Sequence, residues 1–295
     1  MSDASKKARR DQAREHAREM REQERRRRVR NGWFIRGGVG IALIAIAVIT
    51  ILVFTNVRQA ELEAAAPKPG PANMLSDGIL LTSDGANGIV AVPTAAIPAD
   101  GTPVPTDVTK YPDTVNIVTY IDYFCPVCQA FEQANAEQLL TWVSAGVATL
   151  EVHPIAILDS KSMGTRYASR AANAMACVAE YQPNVFFQAT ASMYASQPAE
   201  GTTGLTDEEI ATVLATGGVT EPKVGTCITN ESFKQWVTAA TLRTGSAIPN
   251  SDLASVSGTP TVLVNGYQYP GAINDKDEFA QFVSAVASGN YVPAE

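Results

Sequence analysis

The sequence predicts an α/β fold in which a block of helices interrupts the strands, with one membrane-spanning helix ahead of it. Three observations predict it. A strand-like run over residues 115–124 (VNIVTYIDYF) passes straight into a helix-like one through Cys125-Pro126-Val127-Cys128. Apolar residues recur at helical spacing through 162–243 before a strand pattern returns at Thr261. Residues 37–55 carry no charge and have about the length a helix needs to cross a bilayer.

The charge is split between the ends. The whole chain is −7, but residues 1–36 hold 13 Lys and Arg against 6 Asp and Glu, and the rest holds 10 against 24. Residues 1–32, with Arg25-Arg26-Arg27-Arg28, are too polar to bury a core and read as a basic cytoplasmic segment. The basic flank of a membrane helix explains this charge, so no nucleic-acid partner is expected. Residues 33–56 read as the transmembrane anchor, with Trp33 and Phe34 at the interface and Arg58 beyond the far end. Ala64-Ala65-Ala66 offers a cleavable-signal alternative, but the apolar run is long for a signal peptide and the basic region before it longer still. Either way the body is expected outside the cytoplasm, where disulfides persist.

Residues 57–76 are rich in Ala and Pro and read as a linker to a domain over 77–295. Short apolar runs at 78–83 and 88–93, separated by Asp84-Gly85-Ala86-Asn87, predict a hairpin. Residues 95–112 read as a loop. The run 115–124 is uncharged except at Asp122 and predicts a buried strand; Phe131, Leu139, Leu140 and Val143 predict a helix through Ser144 that stops at Gly146. Residues 148–158 (ATLEVHPIAIL) predict a second strand, parallel to the first because a helix intervenes. His153 in it reads more readily as a packed residue than as a thiolate partner.

Helices are then expected at 167–178, at 185–195, after the capping box that begins at Thr206, and at 233–240. They carry Cys177 and Cys227, which an oxidising setting predicts to pair as a structural disulfide; a second redox pair is the functional alternative. Thr261 to Val264, the turn Asn265-Gly266 and a return at 268–270 predict a final hairpin, closed by a helix over 275–286. Pro260, directly ahead of that strand, suggests a cis peptide near the dithiol.

The chemistry centres on Cys125 and Cys128. At the first turn of a helix, free N–H groups and the positive end of the dipole stabilise a thiolate, so Cys125 is expected to attack and Cys128 to resolve. Pro126 suits a position that needs no N–H. Zinc would require two further ligands at similar spacing, but Cys177 and Cys227 are isolated and the only histidines are His16 and His153, so no metal is expected.

Strand, CPVC, helix, strand, helical block, then GTPTVLVNG and a last helix: from residue 112 onward this order resembles the DsbA-type thioredoxin-fold disulfide oxidoreductases, in particular membrane-anchored bacterial, actinobacterial-like members. The resemblance implies a thioredoxin fold with a helical insertion at 160–243, Cys125 as nucleophile, Cys128 as its partner, and Thr259-Pro260 as the cis-Pro element that meets substrate. It also implies an additional Cys177–Cys227 disulfide, exported protein thiols as substrate, and a quinone-linked membrane re-oxidase, DsbB-like or vitamin K epoxide reductase-like. No cofactor is needed for sulfur exchange. Two departures stand out. Relatives often bury an acid six residues before the nucleophile, where this chain has Thr119; Asp122 resembles the acid of a Y-x-D-[FY]-x-C variant, a candidate for proton transfer or pKa tuning. Pro126-Val127 lacks the His of the strongest oxidants, which predicts a less stabilised thiolate and a less oxidising site. The same site admits a reductase or isomerase, and the fold admits a non-catalytic binding module or chaperone.

Overall fold

The computed structural model describes residues 66–293 and, before them, Met20 alone. The chain divides into two units, Met1–Ala66 and Pro67–Glu295. The basic segment at 1–32, the anchor expected over 33–56 and the first part of the linker lie outside the described residues. No helix among the described residues is long and apolar enough to cross a membrane.

Residues 70–76, which composition reads as the end of a linker, pack on the second unit. The Gly70 N–H donates to the Ile97 carbonyl at 2.9 Å, Asn73 Nδ2 to the Ala179 carbonyl at 2.8 Å, and Met74 is wholly buried. A Cβ at Gly70 would meet the Trp236 ring at 2.8 Å, so only glycine lets the chain pass there. These contacts are made with residues distant in the chain, which composition does not reveal.

A six-stranded sheet has the order β2-β1-β4-β3-β5-β6. Its strands are β1 (Ile79–Ser83), β2 (Ile89–Ala91), β3 (Val115–Ile121), β4 (Ala148–Pro154), β5 (Thr261–Val264) and β6 (Tyr267–Gln268). Helix α1 (Pro126–Ser144) is the crossover between β3 and β4, which run parallel with Ile117 opposite Leu150. β5 lies antiparallel on the other side of β3, with Thr119 opposite Val262. The first hairpin belongs to the sheet, β1 pairing antiparallel with β4. Its turn is closed by Asp84, whose Oδ1 accepts from the N–H groups of Ala86 and Gly88.

Alternation along the central strands separates two faces. Ile117, Ile121, Leu150, Val152, Val262 and Val264 join the main core, whereas Val118, Tyr120 and Leu263 face a smaller cluster closed by Ile155 and Ile248. His153 is on the second face. It stacks on Tyr120 with ring centroids 4.4 Å apart and approaches Glu151 at 3.2 Å. It is therefore a packed histidine, on the opposite face from the residues of β3 and β4 that meet the dithiol.

Five helices fill the insertion between β4 and β5: α2 (Tyr167–Tyr181), α3 (Phe186–Ala195), α4 (Asp207–Thr216), α5 (Pro222–Thr229) and α6 (Lys234–Arg243). Six alanines on α2 are fully buried, and their small side chains let neighbours pack close on several sides. The Thr206 capping box opens α4 through Glu209 in both directions. The helix α5 was not expected as a separate element. It is eight residues long, contains Gly225, and is started by Pro222 and a hydrogen bond from the Lys223 N–H to the Glu221 side chain. Cys177 on α2 and Cys227 on α5 are joined by a disulfide with Cα atoms 5.8 Å apart. Arg243 at the end of α6 ties the block back to the segment ahead of β1, its guanidinium donating to the Asp77 carboxylate through two 2.6 Å bonds. Helix α7 (Lys276–Ala287), capped by Asp275, buries Phe279, Phe282, Val283 and Val286.

Candidate active site

β3 ends at Ile121, and residues 122–124 turn the chain into α1 with Cys125 at the N-cap and Pro126 in the first turn. Asp122 fixes this turn. Its carboxyl is fully buried; Oδ1 accepts from the Phe124 N–H at 2.8 Å, and Oδ2 from the N–H groups of Ile157 and Leu158 at 2.9 and 3.0 Å. One side chain thus binds the start of α1 to the segment leaving β4. Burial raises the Asp122 pKa to about 7, although the three N–H groups favour its charged form.

The insertion closes over the same turn. Gln197 Nε2 donates to the carbonyls of Tyr123 and Cys125, both at 3.0 Å, and the Tyr194 hydroxyl donates to the Asp122 carbonyl at 3.3 Å. Neither residue has a signal in the sequence, since each acts on backbone from a distance of about 70 positions.

Cys125 and Cys128 are free thiols. The Cys125 Sγ donates to the Thr259 carbonyl at 3.2 Å, across the Thr259–Pro260 peptide bond, which is cis. The structure therefore brings Cys125, Cys128, Thr259 and Pro260 together at the end of the sheet, with Asp122 beneath them. Cys177 and Cys227 lie apart, within the insertion. Val127, between the two thiols, is 47% exposed and offers an apolar contact beside the sulfur.

Cys125 and Cys128 are driven in opposite directions. A hydrogen bond from the Cys128 thiol is the largest cause lowering the Cys125 pKa to about 6; the Thr259 side chain and the N–H groups of Cys128 and Val127 help, and burial opposes them. Burial is the first cause pushing Cys128 well above the ordinary thiol range, and its donated hydrogen bond to Cys125 is the second. The thiolate is thus stabilised by neutral donors, which replace the cation whose absence the sequence suggested would weaken it. This asymmetry is the one that an attacking and a resolving thiol require.

The depressed value is linked to stability. Against an ordinary value of 9.0, a folded value near 6 gives nothing below pH 6, about 1.4 kcal/mol at pH 7 and about 4 kcal/mol above pH 9. The reduced chain is expected to lose this advantage over a Cys125→Ser variant as pH falls from 9 through 6. Denaturant unfolding at pH 5, 7 and 9 checks it, and a difference that does not change with pH would mean that no thiolate forms.

Sequence reasoning also missed Glu132. It stands one turn after Cys128 on the stripe of α1 that buries Phe131, Asn135 and Leu139. The residue as a whole is partly exposed, yet its Oε1 is shut off from water with no hydrogen-bond partner. A carboxylate bordering an otherwise uncharged helix face was the available signal. Among the described residues no group of three or more His, Cys, Asp or Glu is placed to hold a metal.

A parallel β-α-β unit, an antiparallel hairpin, and a dithiol at a helix N-terminus opposite a cis-Pro loop define an oxidoreductase that works by dithiol-disulfide exchange. The family model described as Thioredoxin matches residues 112–285, and the chain belongs to that family. Among solved structures it is similar to the reduced form of the disulfide bond oxidoreductase DsbG from Mycobacterium tuberculosis: 25% identity, 74% of this chain and 89% of that one, TM-score 0.52. It is also similar to reduced DsbA from the same organism, with 24% identity, 72% and 99% coverage and a TM-score of 0.48. Oxidised BdbD from Bacillus subtilis shares the fold at 16% identity, 76% and 99% coverage and a TM-score of 0.52. No curated protein matches the chain.

Proposed function

We propose that this protein forms disulfides in exported proteins, using Cys125 and Cys128 outside the cytoplasm while residues 33–56 hold it in the cell membrane. The observation that carries the reading is the Cys125 sulfur, lowered to about 6 at the N-terminus of α1 and held against the Thr259 carbonyl. A substrate thiolate attacks Sγ of Cys125 in the enzyme disulfide and Cys128 leaves. The second substrate thiolate then attacks its own sulfur in the mixed disulfide, and Cys125 leaves as a thiolate. The substrate is oxidised and the enzyme dithiol reduced, with two electrons transferred.

The pKa favours this direction. At pH 7 a thiol of pKa 6 is about 90% ionised and one of 8.5 about 3%, a roughly thirtyfold gain in thiolate. The lower basicity costs about tenfold in nucleophilicity, so Cys125 gains little as an attacking group and more as a leaving group. Leaving is its part in the last step of substrate oxidation. The main-chain carbonyl of Thr259 and the exposed Val127 suit an extended, apolar stretch around the substrate cysteine. Each cycle consumes the enzyme disulfide, so a quinone-linked membrane re-oxidase, DsbB-like or vitamin K epoxide reductase-like, completes the scheme.

Cys128→Ala should trap exported cysteine-containing proteins as mixed disulfides on Cys125 in cells, readable by mass spectrometry. Capture of none would remove the substrate assignment. The reduction potential separates directions: a value toward about −120 mV supports an oxidant, and one near about −270 mV a reductase or isomerase.

A further inference from the structure

Over Val118, Tyr120 and Leu263 the second face of the sheet is covered by two loops, and the loops leave space beneath them. They are clasped where Asn250 Nδ2 donates to the Thr106 carbonyl at 2.9 Å. Under the clasp, lined from β1, β3, β4 and β5, lies a cavity of about 270 Å³, and beside it one of about 200 Å³. Both are lined by Ser76, Pro105, Tyr120, His153 and Pro249, so they form one recess. Its size approaches that of a small-molecule site.

The chemistry of this recess is one-sided. Glu151 lines the larger cavity, no Lys or Arg does, and Arg243 in the smaller one is already bound to Asp77. Burial opposes ionisation of Glu151, which is 6% exposed, but contacts with His153, Ser76 and Thr106 outweigh it and hold the carboxyl below the ordinary carboxylate range. It is therefore an anion at neutral pH. The Ser76 hydroxyl and His153 Nε2 both meet Oε1, which leaves Oε2 as the acceptor for a donor in the cavity.

Aromatic and aliphatic groups supply the rest. Tyr111 and Tyr120 are raised first by burial and then by the charge of Glu151, which places both rings near that carboxylate. A cation beside Glu151 is thus within reach of π faces as well as of a negative charge. The site is also set in advance. A Cβ at Gly78 would lie 2.6–2.7 Å from three atoms of the His153 ring, so the chain entering β1 lies flat on the ring that stacks against Tyr120. Because little has to be ordered on binding, little affinity is lost to ordering. A metal ion is a poor occupant, since among the described residues no three His, Cys, Asp or Glu converge.

We propose that this recess is a second binding site, on the face of the sheet away from the dithiol, for a free small organic cation: an amidinium, guanidinium or ammonium group on an apolar or aromatic body. The charged group lies against Glu151, and the body lies among Leu80, Val118 and Leu263. The site stands apart from thiol exchange and does not depend on that reading.

The test titrates the full chain with benzamidine by calorimetry, with neutral benzamide as the isostere. Benzamidine should bind saturably with a Kd of about 1 mM or below, and benzamide about tenfold more weakly. Glu151→Gln should weaken benzamidine about tenfold while attack of Cys125 on oxidised glutathione is unchanged. Hydrogen exchange with benzamidine bound should show protection in peptides spanning 104–120 and 247–253 and none at the dithiol. No saturable binding overturns the proposal, and so does equal binding of benzamide; both are read on the wild type, whether or not the variant folds. Protection confined to the dithiol turn overturns it as well. A blocked Ala-Arg-Ala peptide that bound more tightly than benzamidine would move the cation onto a partner's side chain and overturn the assignment to a free molecule.

Discussion

Replacing Cys125 by Ala is expected to bring thiol-disulfide exchange down to the uncatalysed rate. Cys128 does not replace it: it is sealed in the core, and its pKa lies well above the ordinary range, so it holds almost no thiolate at neutral pH. Cys128→Ala should fail differently. Cys125 loses its largest single stabilising hydrogen bond, and its pKa should rise from about 6, but attack on a disulfide continues and stalls at the mixed disulfide. Thiolate absorbance near 240 nm followed from pH 4 to 10 reads both effects: a midpoint near 6 in the wild type, none there in Cys125→Ala, and a higher one in Cys128→Ala. Turnover retained in Cys125→Ala would take this residue out of the chemistry, and an unmoved midpoint in Cys128→Ala would mean that the amide groups, not the neighbouring thiol, set the value.

Asp122→Ala is expected to cost about 3 kcal/mol or more in unfolding free energy. Three N–H groups, that of Phe124 in the core and those of Ile157 and Leu158 part-buried, lose their acceptor together, and each orphaned donor costs about 1–3 kcal/mol when water does not replace the acceptor. Relief of the buried carboxyl's own desolvation, visible in its raised pKa of about 7, offsets part of this. The relief grows with pH: a carboxyl raised above its unfolded value weakens the fold as it ionises, so the gap between wild type and variant should narrow from pH 5 to pH 8. Chemical denaturation at both values checks size and sign. A loss below about 1 kcal/mol would mean that the turn is held by Gln197 and Tyr194 without its acid. Because the same turn carries Cys125, the variant should also slow attack of Cys125 on oxidised glutathione.

The redox turn was legible because two patterns meet there. An uncharged, largely apolar and β-branched run over 115–121 gives way to a helical repeat over 126–144, and the two cysteines fall at the junction. The parallel pairing of β3 with β4 followed from the intervening helix, and the final hairpin from Asn265-Gly266, whose φ values of 46° and 87° are those such a turn demands. Other features depend on contacts between distant residues. α5 is too short to show a repeat. Gln197 reaches main-chain carbonyls of Tyr123 and Cys125 from just beyond α3, and Asp122 finds two of its three donors beyond β4. His153 illustrates the opposite case, since a one-residue alternation is enough to turn it away from the dithiol toward Tyr120 and Glu151. Glu132 was readable in principle, as a carboxylate at i+4 from a buried cysteine. What the sequence does not disclose is that one of its oxygens has no partner.

The bond between Cys177 and Cys227 makes the protein itself a product of thiol oxidation. Each newly made copy must surrender two electrons from α2 and α5 before its insertion is covalently closed, and its own dithiol lies elsewhere in the fold. The oxidising equivalent that closes the insertion is thus one the new copy receives, from an older copy or from another oxidant. If the proposed oxidase function holds, a cell starved of such equivalents would lose the donor along with the supply, so the pool of closed protein should respond to oxidant shortage more steeply than its demand for substrate alone implies.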